Sequence, residues 1–217
     1  MDNGMNKILI VTCDFLGKRM AGPAVRALEM GRVLATTCQV VVTCPGLNDS
    51  LPELPENLSV EIYKDSPDWP NLDDFNAVII PASLNVDTRI DPPVLVDLYD
   101  PFILSNLPRT DKSECVQLEE LRALKRNLQR GDYFVCASDR QRDFWLGMLA
   151  AEGRVNVQQF QKDGHMNSLV GLAPFGIPET PPVKDDQVYP GDPDAFRLVW
   201  AGGVWDWFDP LTLIKAV

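Results

Sequence analysis

Short apolar runs recur along the chain, and each is bounded by glycine, proline or polar residues. Continuous runs of strand length cover residues 8–11, 39–43, 77–80, 94–98, 132–137 and 169–173. Such runs are typical of strands that are buried on both faces of a parallel sheet. Residues 59–63 alternate weakly between apolar and polar side chains and predict an edge strand.

Between the strands, apolar residues recur at helical spacing in three segments. The first opens at Gly22-Pro23, because proline suits a first helical turn. Its narrow face of small residues consists of Ala24, Ala27, Leu28, Gly31, Leu34 and Ala35. The second covers residues 113–129, with a stripe of Cys115, Leu118, Leu121, Leu124 and Leu128. The third follows Ser138, which forms a capping-box pattern with Gln141. This alternation predicts an α/β fold with a Rossmann-like, doubly wound parallel sheet.

A segment rich in proline and acidic residues, 179–196, predicts a linker. After it the opening pattern returns: an apolar run at 197–200, a glycine loop, and a helix start at Asp209-Pro210. We therefore expect an N-terminal domain at 1–178, and at 197–217 the first strand and helix of a second, truncated α/β domain. On this interpretation the chain is a fragment.

The composition and charge of the chain indicate which classes of binding partner it does not suit. The 217 residues carry a formal net charge of −11, which argues against nucleic acid or an anionic membrane as a general partner. No apolar run approaches the roughly 20 residues of a membrane span. The polar N-terminus runs straight into a strand and does not resemble a signal peptide.

The cysteines and the single histidine bear on location and metal binding. The five cysteines are Cys13, Cys38, Cys44, Cys115 and Cys136. They form no CxxC pair, and several fall in apolar strands, which favours reduced, buried thiols in a cytoplasmic protein. His165 lies in a polar stretch, so we expect a loop residue there and no zinc site.

Two stretches carry candidate chemistry. The polar loop before Gly22 leads into the N-terminus of a helix. Backbone N–H groups and the helix dipole at such an N-terminus favour a bound anion. The alternative is an ordinary α/β opening without a bound phosphate. Asp97, Tyr99 and Asp100 fall at the carboxyl end of a predicted strand, the edge at which open α/β sheets bind ligands. The alternative is that one aspartate caps the next turn and the other is solvated.

The helix after Ser138 begins with two basic residues. Arg140 and Arg142 lie in its first turn, where the helix dipole disfavours positive charge. Such charges either serve a ligand or are two exposed arginines.

In order along the chain, five segments resemble the retaining glycosyltransferases of family 4, which have the two-domain GT-B fold. They are KILIVTCDF, Gly22-Pro23-x-x-Arg26, FVCASDRQRDFW, LAPFGIP and VWAGGVWDWFDPLTLIKAV. The resemblance implies two facing Rossmann-like domains with the active site between them. The N-terminal domain would hold the acceptor and the C-terminal domain the nucleotide-sugar donor, without a cofactor or metal.

The resemblance also implies roles for particular residues. Gly22, Gly202 and Gly203 would lie near the donor diphosphate. Many family members carry a histidine near the end of the strand that matches 94–98. Here Asp97 and Asp100 stand in that region and are the catalytic candidates for holding an acceptor hydroxyl. The candidates for binding the acceptor or another ligand are Arg26, Tyr99, Ser138 and Arg142. The family's acidic donor-binding motif would fall beyond Val217, so we expect residues 1–217 alone to transfer no sugar.

Two other classes of protein compete with this interpretation. A dinucleotide-dependent oxidoreductase would carry G-x-G-x-x-G after the first strand, and residues 13–22 do not match that motif. A non-catalytic interaction module would associate with itself through the aromatic residues Trp205, Trp207 and Phe208 of the C-terminal segment.

Overall fold

The computed structural model describes residues 4–63, 71–85, 90–109, 114–177, 181, 194–201, 203 and 208–217. The strands are β1 (Lys7–Val11), β2 (Gln39–Cys44), β3 (Leu58–Ile62), β4 (Ala77–Pro81), β5 (Val94–Asp97), β6 (Tyr133–Cys136) and β7 (Val170–Leu172). The helices are α1 (Gly22–Leu34), α2 (Phe102–Ser105), α3 (Glu114–Arg130), α4 (Asp139–Ala151), α5 (Val157–Lys162) and α6 (Pro210–Ala216). A short 3-10 turn covers Leu72–Asp74.

All seven strands form one parallel sheet in the order β3-β2-β1-β4-β5-β6-β7. The predicted Rossmann-like α/β fold is confirmed, and the edge strand predicted at 59–63 is β3. The strand order reverses between β1 and β4. In doubly wound sheets, ligands bind outside the carboxyl ends of the strands at this point of reversal.

Alternate side chains of the strands pack into two cores, one on each face of the sheet. Leu9 and Val41 belong to the core that α3 and α4 cover. Ile10 and Val42 belong to the core that α1 covers. Because the strands are buried on both faces, their sequences read as continuous apolar runs rather than as alternating patterns.

Helix α1 lies very close to the sheet, as its small residues predict. At Gly31 a Cβ atom would stand 3.1 Å from Leu58 Cδ1 and 3.2 Å from Val42 Cγ2. Ala24, Ala27 and Leu28 of the same face are buried. The absence of a side chain at Gly31 therefore sets how near the helix comes to β2 and β3.

Helix α3 differs from its prediction in its first half. Cys115 is exposed and Leu118 is 48% exposed, whereas Leu124 and Leu128 are fully buried. The helix has 17 residues and is therefore about 25 Å long. Strand β5 has four residues and spans only roughly 13 Å. The first turns of α3 consequently extend past the carboxyl edge of the sheet, where they have no core to face.

Helix α4 begins with a variant of the predicted capping box, in which the Gln141 side chain reaches the N–H of Ala137, one residue before the N-cap Ser138. The Gln141 N–H donates to Ser138 Oγ at 3.3 Å, and the Gln141 side-chain oxygen accepts from the Ala137 N–H at 2.8 Å. The Gln141 amide nitrogen also donates to the Tyr99 carbonyl at 2.7 Å. One side chain thus joins the start of α4 to the chain that leaves β5.

The C-terminal segment follows its prediction only in part. The strand predicted at 197–200 is wrong, because the described residues 196–200 form no strand. A strand needs a neighbour to supply its hydrogen bonds, and no described strand pairs with these residues. The predicted helix is present as α6, with Asp209 accepting from the Thr212 N–H at 3.0 Å. Most of the predicted linker, Gly202, and both Trp205 and Trp207 lie outside the described residues.

The cysteines also differ in part from expectation. All five thiols are free, and Cys44 and Cys136 are buried, but Cys13 and Cys115 are exposed. Both exposed thiols lie near the carboxyl edge of the sheet, after β1 and at the start of α3. No helix among the described residues has the length and apolar character needed to cross a membrane.

Replacing Gly31 with valine is expected to lower the free energy of unfolding by about 1–3 kcal/mol, since the new side chain forces α1 away from the sheet. Urea unfolding measures the change. Gly147→Ala is the matched control: nothing lies within 4 Å of a Cβ at Gly147 in α4. That variant should gain roughly 0.5–1 kcal/mol from the better helix former. Equal effects of the two substitutions would contradict the close packing of α1.

Candidate functional site

A cavity of about 260 Å³ opens at the carboxyl ends of β1, β4 and β5. It therefore spans the point at which the strand order reverses. Most of its polar lining comes from the ends of these strands: Thr12, Cys13 and Asp14 after β1, Ser83 after β4, Asp97 at the end of β5, and Tyr99 and Asp100 after it. Asn106 and Glu120 complete the polar lining. Pro23 and Ala27 of α1 close one side. The predicted cluster of two aspartates and a tyrosine thus lies in a cavity at the expected edge.

Asp97 is held by Arg26 in a buried, bidentate ion pair. Arg26 Nε donates to Asp97 Oδ2 at 2.6 Å, and Arg26 Nη2 donates to Asp97 Oδ1 at 2.9 Å. The side chains are 3% and 10% exposed, respectively. Burial raises the pKa of Asp97, and the Arg26 guanidinium works in the opposite direction. Both carboxylate oxygens of Asp97 are engaged within the protein.

Arg26 also holds the chain that leaves β7. Its Nη1 donates to the Ala173 carbonyl at 2.7 Å. The guanidinium carbon lies 5.4 Å from the Tyr99 ring centroid and 5.0 Å from that of Phe175. These two rings meet edge to face at 5.7 Å. One side chain from α1 therefore joins β5 to the segment after β7, with the guanidinium in contact with two aromatic rings.

The cavity is acidic. Among the described residues, its lining contains Asp14, Asp97, Asp100 and Glu120 but neither lysine nor arginine. Burial raises the pKa of Asp14 and of Asp100, and Asp100 Oδ1 accepts from Ser105 Oγ at 3.2 Å. Crowding by the surrounding protein, together with nearby Asp14, raises the pKa of Cys13 to about 11, although part of the Cys13 surface is accessible to solvent. The carboxylates favour ligands that donate hydrogen bonds and oppose phosphate within the cavity.

Of the predicted phosphate-binding glycines, Gly22 begins α1 at the edge of the cavity. The preceding Ala21 supplies no side-chain cap, and the first turn carries no acidic residue. Gly22 is exposed, and a Cβ there would meet no atom within 4 Å. The fold therefore does not require glycine at this position. Gly203 is exposed, and its carbonyl accepts from the Trp200 indole at 3.0 Å.

Ser138 and Arg142 have structural partners. Ser138 caps α4, as described above. Arg142 donates from Nε to the Val170 carbonyl at 3.1 Å and from Nη2 to the His165 carbonyl and to Asn167 Oδ1. It is thus half-buried against the loop before β7, and not one of two exposed arginines. Ligand binding by either residue stays a prediction.

Four residues of this region were not among the candidates from the sequence. Asp14 follows β1 as Asp97 ends β5, so the rule that pointed to Asp97 also indicates Asp14. Asn106 and Glu120 come together only through the packing of α2 against α3. Asn127 is fully buried and donates to the Ala82 and Leu84 carbonyls at 2.9 and 2.8 Å. It fixes the loop that carries Ser83, and nothing in the apolar pattern of α3 signals it.

Comparison with known proteins gives little beyond the architecture. No protein-family model matches the sequence. A search of curated proteins finds no match either. Among solved structures, a similar chain is the UDP-glycosyltransferase UGT73P12 of Glycyrrhiza uralensis, complexed with glycyrrhetinic acid 3-O-monoglucuronide. The match has 9% identity and a TM-score of 0.41, and it covers 76% of this chain. The chain spans about half of that protein, 51% of its length.

The described residues contain no group of three or more His, Cys, Asp or Glu side chains that is able to hold a metal ion.

Replacing Arg26 with methionine is expected to destabilise the fold by about 3–5 kcal/mol, because Asp97 then stays buried without its partner. The double variant Arg26→Met/Asp97→Leu should recover part of that loss, since no buried charge remains. Urea unfolding measures both. Arg19→Met is the control: Arg19 pairs with Asp49 at 3.4 Å with its side chain 87% exposed. Such a surface pair contributes only about 0–1 kcal/mol. Equal losses for the two single variants would contradict the buried pair.

Replacing Asp100 with asparagine is expected to stabilise the protein at pH 7. The raised pKa means that the folded state disfavours the Asp100 carboxylate relative to the unfolded state. The gain should be largest above that raised pKa and should disappear as the pH falls to about 4, the value for an unperturbed aspartate. Urea unfolding across this pH range measures it.

Asp163→Asn serves as a comparison of opposite sign. Hydrogen bonds from the Ser168 and His165 N–H groups lower the pKa of Asp163. Its replacement should therefore destabilise the protein at pH 7, and the loss should disappear only below about pH 4. If both variants changed stability in the same direction at pH 7, the assignment of the Asp100 environment would be wrong.

Proposed function

We propose that this chain carries the acceptor-binding domain of a glycosyltransferase, with the acceptor in the cavity between β1, β4 and β5. The observation that carries the proposal is the lining of this cavity. Carboxyl groups meet there at the reversal of strand order, and the described part of the lining contains neither lysine nor arginine. Carboxylates accept hydrogen bonds from vicinal hydroxyl groups, whereas a phosphorylated ligand would be repelled.

Asp100 and Asp97 have different roles in this proposal. Asp100 contacts only Ser105 among the hydrogen bonds described above, and its raised pKa brings the carboxylate closer to the range of a general base. We assign it to the acceptor hydroxyl, together with Asp14 across the cavity. Asp97, engaged by Arg26, is a positioning residue that holds Tyr99 and the start of the β5 loop.

The donor diphosphate belongs outside the acidic cavity, at the start of α1. In the first turn of α1, Pro23 has no N–H, and the N–H groups of Gly22 and Ala24 precede the first intrahelical hydrogen bond, from Val25 to Ala21. The space beside Gly22 leaves room for phosphate oxygens near them. Gly202, Gly203 and the division into residues 1–178, 179–196 and 197–217 complete the proposed two-domain arrangement. Retention of configuration is part of the proposal through the sequence resemblance.

An interaction module without catalysis is the second candidate. It is favoured by the exposure of apolar side chains in the C-terminal segment, where Phe208 is 41% exposed, Leu211 61% and Ile214 66%. Self-association through this segment would bury them. The two candidate functions make different predictions for the cavity. An acceptor-binding domain binds a saccharide there, whereas an interaction module has no need to bind sugars.

Titration of the chain with a saccharide panel and with UDP, followed by chemical-shift changes in two-dimensional NMR spectra, tests the proposal. The panel contains glucose, galactose and mannose with their di- and trisaccharides. Asp100→Ala should weaken saccharide binding by at least tenfold, because a hydrogen bond to a charged group contributes about 1.5–3 kcal/mol. It should leave UDP binding unchanged.

Gly22→Val provides the reciprocal variant. Its side chain fills the space beside the first N–H groups of α1 without touching described atoms. It should weaken UDP binding and leave saccharide binding unchanged. The proposal fails if no saccharide binds, or if Asp100→Ala leaves saccharide affinity as it was.

A further inference from the structure

A second cavity, of about 190 Å³, lies between α2 and the first turns of α3. Ile103 and Leu107 supply its apolar lining, and Glu114 and Gln117 supply polar groups from α3. Arg109, which follows α2, adds a guanidinium group to the lining. Asn106 and Glu120 line both this cavity and the acidic cavity at the sheet edge. The two spaces are therefore neighbours that share a wall.

The two residues that line both cavities, Asn106 and Glu120, are hydrogen-bonded to each other. Asn106 Nδ2 donates to Glu120 Oε1 at 3.3 Å, which is a long hydrogen bond between half-buried groups. Because Asn106 and Glu120 line both cavities, they mark the place where the two spaces adjoin. A ligand that hydrogen-bonds to this amide and carboxylate can extend from one space into the other.

The second cavity exists because α3 is longer than the strand on which it packs. Glu114 and Gln117 lie in the turns that extend beyond β5, where Leu118 is also exposed. Helix α3 packs against α2 as well as β5, and Asn106 is hydrogen-bonded to Glu120 between the two helices. The first turns of α3 thus form one side of the second cavity, beyond the carboxyl edge of the sheet.

The volumes of the two cavities indicate that they form one ligand site and not two separate sites. Ligand sites generally measure roughly 300 Å³ or more. Neither cavity reaches that size alone, at about 260 and 190 Å³, but together they exceed it. A lining of amide, carboxylate and guanidinium groups beside small apolar surfaces offers hydrogen-bond acceptors and donors to a hydroxylated ring, and it is too polar for a lipid chain.

We propose that the two cavities form one extended acceptor site for an oligosaccharide of at least two sugar units. This inference rests on the proposed function. One unit occupies the acidic cavity beside Asp100, and the next occupies the cavity between α2 and α3. Asn106 and Glu120 contact the sugars where they are joined and determine the length of acceptor that is preferred.

The test compares each monosaccharide of the panel with its own di- and trisaccharide, by titration of the full chain. Disaccharides should bind at least tenfold more tightly than monosaccharides. Gln117→Trp fills only the second cavity from an exposed helix position. It should reduce the affinity for disaccharides to that for monosaccharides and leave monosaccharide binding unchanged. Arg122→Trp, exposed on the same helix and outside both cavities, is the matched control and should have no effect.

Each outcome decides between the two proposals. Equal affinities for mono- and disaccharides would overturn the extended site and leave the proposed function standing. A preference for disaccharides that survives Gln117→Trp would put the second sugar elsewhere and would also overturn it. Failure of every saccharide to bind would contradict the proposed function, and the extended site with it.

Discussion

The buried ion pair between Arg26 and Asp97 is the contact on which the arrangement of the site depends. It links α1 to β5, and through the Ala173 carbonyl and the Phe175 ring it also holds the chain that leaves β7. A charge buried in this way is tolerated only because its partner satisfies it. Because this pair is neutral as a unit, Asp14, Asp100 and Glu120 supply the negative charge of the neighbouring cavity. The proposed binding of hydroxyl groups inside that cavity, with phosphate at its edge, depends on this acidity.

The mismatch in length between α3 and β5 explains a second group of features. A 17-residue helix on a four-residue strand leaves its first turns without a sheet beneath them. Leu118 is exposed for that reason, although its spacing matches the core-facing leucines that follow it. The overhanging turns instead pack on α2 and enclose the second cavity. The length of α3 relative to β5 thus explains both why Leu118 is exposed against its prediction and why a second cavity lies beside α2.

The sequence predicted the fold well because the strands of a doubly wound sheet are buried on both faces. Their continuous apolar runs, the small-residue face of α1 and the capping box of Ser138 with Gln141 are all local patterns, and each is present. The strand predicted at 197–200 failed for a different reason. A strand is formed by pairing, and an apolar run cannot show whether a partner strand lies beside it.

The sequence by itself determined the class of fold, the edge of the sheet that carries the candidate site, and the position of Asp97, Tyr99 and Asp100 at that edge. These follow from periodicity and from the rule that parallel strands end together. Only the tertiary structure decided which charges meet. Arg26 and Asp97 are 71 residues apart, and Asn106 meets Glu120 across two helices. Such pairings depend on how the elements pack in three dimensions, and the spacing of residues along the chain does not record that packing.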